Sequence, residues 1–305
     1  VSQTTPQNSS ANTTALDIES PPKPLQERII TPHGGFDAFT TAGRSLVSDF
    51  PQSRRLGWRM FLRDTRAMFR QSLLGYVWLL LPALATSLIW IFLNDQNLVS
   101  LDTGGAPVPM FVLTGTVLWT AFNLSVVGMQ SIMAEARSVL SKVNFPHEAL
   151  VVSAICKALL NTVVPALVLI PAVFAFGIPL STSMLLFPFG FVTLILLGCA
   201  FGLILVPIAA LYSDVSRALQ LGLRFGFFAT PVIFALPTAE GLPRNLLMCN
   251  PVAAPLVTSR YWLIGSEASL WLPTLIIFTI SLLVLAFATL IFKVSMPHLI
   301  ERLNA

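Results

Sequence analysis

Charge is what this sequence has least of. Asp, Glu, Lys and Arg make up only 10% of its 305 residues, where a soluble domain carries about 25%. With 55% apolar residues and a mean hydropathy of +0.78, that scarcity excludes an ordinary soluble enzyme and a disordered chain. Cysteine is also rare. Cys156, Cys199 and Cys249 form no CxxC pair, so neither a metal site nor a disulfide framework is indicated. No glycine is followed by lysine, so the chain has no P-loop to cradle ATP. HExxH and GxSxG are missing as well, and no catalytic residue or metal ligand is expected. The three histidines, His33, His147 and His298, are scattered.

Long apolar runs are what the sequence does have. A helix needs roughly 20 mainly apolar residues to cross the hydrocarbon layer. Six stretches qualify: Leu73–Leu93, Met110–Ile132, Ala149–Phe176, Ser183–Tyr212, Ala218–Leu236 and Trp271–Phe292. A membrane β-barrel is excluded, because these runs are apolar all round and do not alternate. Pro165, Pro171, Pro188 and Pro207 predict tilts or kinks in the third and fourth spans. The fifth contains Pro231 and reads as the weakest, a broken or re-entrant segment. None of the six holds a carboxylate, which disfavours a proton- or sodium-coupled carrier.

Lysine and arginine set the expected orientation. They precede the first span and recur in the loops 133–148 and 213–217 and in the C-terminal tail, while the turns 94–109 and 177–182 have none. Both termini are therefore expected in the cytoplasm. Between the fifth and sixth spans, residues 237–270 hold short apolar pieces broken by prolines. They predict short re-entrant helices at the outer surface.

Residues 1–45 are rich in Ser, Thr, Pro, Asn and Gln and predict a flexible cytoplasmic extension. Residues 46–72 predict an amphipathic interfacial helix. Arg55, Arg59, Arg63, Arg66 and Arg70 fall within an arc of roughly 80° at about 100° per residue. Trp58, Phe61, Thr65, Met68 and Phe69 take another face. Such a helix lies in the headgroup layer with its arginines toward phosphates. Arg59, Arg63, Arg66 and Arg70 are the candidate entrance for an anionic lipid headgroup.

Two cations fall inside spans, Lys157 and Arg224. Each either snorkels to the interface or faces an internal cavity that attracts an anion. Trp90, Trp119 and Phe122 are candidates for a channel that stacks sugar rings, against the simpler expectation of an interfacial aromatic belt for the tryptophans. The small-xxx-small pairs Gly198/Gly202 and Gly222/Gly226 predict close helix packing.

Several motifs, in order, carry a resemblance. They are Arg63-Asp64, then Arg70-Gln-Ser-Leu-Leu-Gly75 with Trp78 and Pro82, then Asn144-Phe-Pro-His-Glu148, Tyr212-Ser-Asp214, Thr230-Pro-Val-Ile-Phe234 and Asn250-Pro251. Over residues 55–292 the chain resembles ABC-2 type permeases of the branch that exports O-antigen, capsule or teichoic acid. It departs from that pattern at His147 and Ser213, where arginine is usual in the family. The resemblance implies an all-α membrane protein with six transmembrane helices, residues 73–305 forming the ABC-2 type transmembrane domain.

It further implies a homodimer with two separate ATP-binding subunits in the bacterial inner membrane. The chain itself would be a transporter subunit without enzymatic activity. ATP and Mg would be bound by the partner, with no cofactor here. The cargo would be a polyprenyl-pyrophosphate-linked polysaccharide, among membrane lipids and with no nucleic acid. Arg137, Ser138, Lys142, Phe145, Pro146, His147 and Glu148 would couple the chain to the ATPase, and Asn250 and Pro251 would belong to an outer gate. Rival readings are a drug or small-lipid exporter of the same fold, a secondary carrier, and a membrane-bound glycosyl- or lipid-modifying enzyme. The enzyme would need clustered acid and base groups, whereas Asp95, Asp102, Glu240 and Glu267 are dispersed.

Overall fold

A computed structural model describes residues 36–69, 75–135, 146–237, 241–265 and 268–304. Among them every regular element is helical: α1 (Phe36–Phe69), α2 (Val77–Asp95), α3 (Val108–Gln130), α4 (Glu148–Ala166), α5 (Leu169–Ala175), α6 (Phe187–Leu211), α7 (Ser213–Phe228), α8 (Leu242–Met248), α9 (Ala253–Ile264) and α10 (Trp271–Asn304). A 3-10 turn at Thr182–Leu186 leads into α6.

Five stretches are long and apolar enough to cross a membrane: Val77–Asp95, Val108–Gln130, Glu148–Ala175, Thr182–Leu211 and Trp271–Met296. They match five of the six predicted spans. The third is divided where α4 ends and α5 begins, just after Pro165. The predicted fifth span, Ala218–Leu236, is not one continuous helix. Its helix, α7, stops at Phe228, and turns and bends follow from Ala229 to Phe234. Pro231 explains the stop: it lacks an N–H to donate, and its ring disfavours helical geometry at Thr230. α7 is also amphipathic, with Asp214, Arg217, Gln220 and Arg224 exposed.

α3 is the central helix; Met110, Phe111, Val112, Leu118, Val126 and Met129 are completely enclosed. α6 packs against it, α10 covers the other side of α6, and α2 and α4 flank α3. Lipid tails are as apolar as leucine, so burial from water does not drive these contacts and close approach matters more. Gly198 and Gly202 supply it. A Cβ on Gly198 would lie 2.7 Å from the Phe122 carbonyl oxygen, and one on Gly202 would run into that of Val126. The second pair divides: Gly226 makes room for the Trp119 ring, while Gly222 faces open space. Buried hydroxyls add polar links, Ser87 to Thr116 at 2.5 Å and Thr274 to Thr258 at 2.9 Å.

α1 begins at Phe36, earlier than the predicted start at residue 46, and packs on α4 and α10. Its buried face carries Ser53, Gly57, Met60 and Phe61. Of the predicted apolar face, Phe61 is buried, but Trp58 and Met68 are about half exposed, at 51% and 52%. The face that meets protein lies opposite the arginine arc and is centred on small residues. A Cβ on Gly57 would sit 2.7 Å from the Ala149 carbonyl oxygen, so glycine lets the two helices touch.

The glycine contacts give opposite expectations for two substitutions. Gly202→Ala forces a methyl onto backbone and should destabilise the fold by about 1–3 kcal/mol. Gly128→Ala enters open space and gains up to about 1 kcal/mol of helix propensity. Thermal melting in detergent measures both; equal melting of the two variants would contradict the packing.

Candidate functional site

The two ends of the helical bundle are built from different chemistry. At one end lie α1, the residues on either side of the segment 136–145, the start of α7 and the last turns of α10. Lys157, on α4, is the centre of a charged triad. Its Nζ is 2.7 Å from Asp64 Oδ2 on α1 and 2.7 Å from Glu135 Oε2, just beyond α3. Ser131 donates to the other oxygen of Glu135 at 2.7 Å. Arg63 binds Asp64 as well, at 2.8 Å. Met60, Arg63, Asp64, Ile132, Glu135 and Lys157 line a pocket here. Burial pushes the Asp64 carboxyl up, but its hydrogen bonds to Lys157 and Arg63 outweigh that and hold it below the usual carboxylate range.

A second triad mirrors the first. Lys293, near the end of α10, contacts Glu148, the first residue of α4, and lies 3.9 Å from Asp49 on α1. Glu148 is buried, with 8% of its side chain exposed. The neighbouring His147 is half-buried. Burial lowers its pKa first, the Glu148 carboxylate opposes this, and the Lys293 ammonium lowers it further, so the imidazole is neutral at pH 7. Gln130 donates to Ser216 at 3.1 Å, tying the end of α3 to α7.

The residues expected at the headgroup entrance fall on the outer face of α1. Arg59, Arg63 and Arg66 are exposed, with Arg63 turned toward Asp64. Arg70 lies outside the described residues, as do Arg137, Ser138, Lys142 and Phe145 of the expected coupling segment. Pro146 and His147 lead directly into Glu148 and α4. Of the candidate channel residues, Arg224 is exposed on α7. Trp119 and Phe122 are buried within the chain, their rings 5.5 Å apart, with Phe227 edge-on to Trp119 at 6.2 Å. Trp90 is half-buried against Phe228. Lys157 binds two carboxylates from other elements.

The opposite end is held mainly by hydrogen bonds. Asn250 donates to Thr230 Oγ1 at 2.7 Å and to the Ala229 carbonyl at 3.3 Å, and it accepts from the Val252 N–H at 3.0 Å. One amide therefore fastens the start of α9 to the break after α7, and Pro251 follows in the turn. Arg260 on α9 is enclosed, at 1% exposure. It donates to the Val232 carbonyl and lies 3.9 Å over the Phe111 ring, a cation–π contact strengthened by desolvation. Gly115 leaves room for it, since a Cβ there would meet both the Val232 carbonyl and the guanidinium. The Ala235 N–H donates to the Asp102 carbonyl at 2.8 Å, joining the loop after α2 to the same break.

Sequence reasoning missed the roles of Asp49, Asp64, Glu135 and Lys293, and that of Arg260. One signal was present for the first group: acidic residues stand at both ends of the 136–147 segment in a chain poor in charge.

This fold defines a multi-pass, all-helical membrane protein. No family model matches the chain. It is similar to the O-antigen export system permease protein RfbA of Myxococcus xanthus, 29% identical over 220 residues, which cover 70% of this chain and 82% of the relative. Two O-antigen export system permease proteins RfbA of Klebsiella pneumoniae are 22% and 21% identical over 206 residues, 65% of this chain and 76% of each relative. The resemblance read from the motifs is thus supported by similarity, along most of the chain, to proteins named as O-antigen export permeases.

The depressed Asp64 carboxyl gives a pH dependence with a definite sign. A carboxyl held below its unfolded value of about 3.9 adds stability above that pH and loses it as pH falls through the depressed value. Asp64→Asn should therefore flatten the acid-side loss of melting temperature below about pH 4. An acid limb identical to that of the unmodified chain would show that the carboxylate carries none of it.

Proposed function

We propose that this chain is the transmembrane permease subunit of an ATP-binding-cassette exporter that moves a lipid-linked polysaccharide, O-antigen-like or capsular, across the bacterial inner membrane. The observation that carries this reading is the similarity to the Myxococcus xanthus O-antigen export permease over 82% of that protein. The geometry agrees with it. One end offers a cationic helix face suited to a pyrophosphate, and the other is an assembly of short helices held by hydrogen bonds and the enclosed Arg260.

In this reading, α7 and the break at 229–236 form a sixth, interrupted passage. The short helices α8 and α9 dip in from the outer surface, where non-helical backbone is tolerated because protein covers it. Both termini face the cytoplasm, and two copies of the chain enclose the path. The energy comes from ATP hydrolysed by a separate subunit, seated against the segment that ends in Pro146, His147 and Glu148. The arginines Arg59, Arg63, Arg66 and Arg70 receive the polyprenyl pyrophosphate from the membrane surface. Asn250 and Pro251 hold the outer mouth.

Each basic residue near an anionic surface contributes about 1 kcal/mol of attraction. Neutralising Arg59, Arg63 and Arg66 to Gln removes roughly 3 kcal/mol, on the order of a hundredfold in headgroup affinity. Surface polymer in a strain carrying the permease and its ATPase should fall steeply, while the variant still inserts and copurifies with the ATPase. Unchanged surface polymer would remove the arginine face from the export path. A strain lacking the permease that displays polymer normally would remove the cargo.

A further inference from the structure

The two charged triads share a plan that the function above does not require. Glu135 is the last described residue before the segment 136–145, and Glu148 opens α4 beyond it. Each of these glutamates binds one lysine, Glu135 to Lys157 and Glu148 to Lys293. Each lysine also reaches a carboxylate on α1, Lys157 to Asp64 at 2.7 Å and Lys293 to Asp49 at 3.9 Å. Both roots of one segment are thereby tied to α1. Along α1 the two anchors lie about 22 Å apart at 1.5 Å per residue. A single anchor would let α1 pivot; two fix its direction as well as its position. Between them Gly57 brings α1 into backbone contact with α4 at Ala149.

We propose that Lys157 and Lys293 are positioning residues that link both roots of the 136–147 segment to α1, so that a displacement of the roots is passed to the helix that carries the arginines. This rests on reading that segment as the contact with an ATP-binding subunit.

The physical reason is the cost of separation. The lysine side chains are only 16% and 18% exposed, and drawing a partly buried ammonium away from its carboxylates leaves charge without compensation. Movement of Glu135 or Glu148 takes its lysine along, and the lysine takes Asp64 or Asp49. Arg63 extends the chain of contacts, since it binds Asp64 from the outer side. An anion that draws Arg63 outward therefore competes for the same carboxylate that holds Lys157. Any such coupling is reciprocal for binding, so headgroup and nucleotide influence one another through Asp64.

The test uses the full complex of the chain with its ATP-binding subunit in lipid nanodiscs. Backbone hydrogen exchange is followed with and without a non-hydrolysable ATP analogue. The unmodified chain is compared with the pair Asp49→Asn, Asp64→Asn and the conservative pair Asp49→Glu, Asp64→Glu. Nucleotide is expected to change exchange in α1 several-fold in the unmodified chain and in the Glu pair. The Asn pair should lose most of that response, while residues 146–152 respond equally in all three. A merely structural role would not separate these two responses. If the Asn pair fails to assemble, Asp64→Asn alone, which removes the shorter contact, gives the same two outcomes. A full α1 response in the Asn variants, or an α1 that ignores nucleotide in the unmodified chain, overturns the proposal. No polymer enters this measurement, so its result is separate from that of the cargo, which surface polymer decides.

Discussion

An ammonium group set into an apolar helix needs a carboxylate nearby, and this requirement governs the charged end of the molecule. Lys157 and Lys293 both sit within stretches apolar enough to cross a membrane. Leaving either charge unpaired in a poorly solvated site would cost several kcal/mol. Neither finds its partners in its own helix. Lys157 takes Asp64 and Glu135, and Lys293 takes Asp49 and Glu148. Satisfying two partly buried cations therefore fixes where α1 lies, and turns its arginines away from the bundle. The basic face is presented outward because the acidic face is already committed.

The apolar part of the structure obeys a different rule. In hydrocarbon, helices gain little from hiding leucines from one another, so packing depends on how closely backbones approach. Gly198, Gly202 and Gly57 stand where a methyl group would meet a carbonyl. Hydroxyl pairs such as Ser87 with Thr116 satisfy buried polar groups between helices. α3, enclosed on most sides, is the reference against which α2, α4, α6 and α9 are placed. The far end adds a single buried cation, Arg260, held by a carbonyl and an aromatic face and not by an acid. It joins the break after α7 to α9 and α3, while Asn250 joins the same break to the start of α9.

These two ends suit a division of labour in the proposed exporter. The charged end is made of ion pairs between separate elements, which respond to displacement and to anions. The far end is made of hydrogen bonds and aromatic contacts around broken backbone, with the enclosed Arg260 held by a carbonyl and a ring.

Periodicity and composition were enough to read most of the architecture. Twenty-residue apolar runs have few fates besides a membrane helix, so five spans, the division near Pro165 and the Gly198/Gly202 contact were legible. Pro231 signalled a weak fifth span but not where its helix ends. The arginine arc of α1 was legible because a helical repeat fixes which residues share a face. Which face meets protein was not, and Trp58 and Met68 proved exposed. A helical repeat ranks residues by direction around an axis and is silent about what lies there. The sequence by itself determined the apolar helical spans and the basic face of α1, since each follows from residue type and local spacing. Only the tertiary structure decided the pairing of Lys157 and Lys293 with acids on α1 and the enclosure of Arg260, because those contacts join residues far apart in the chain and charge carries no label of its partner.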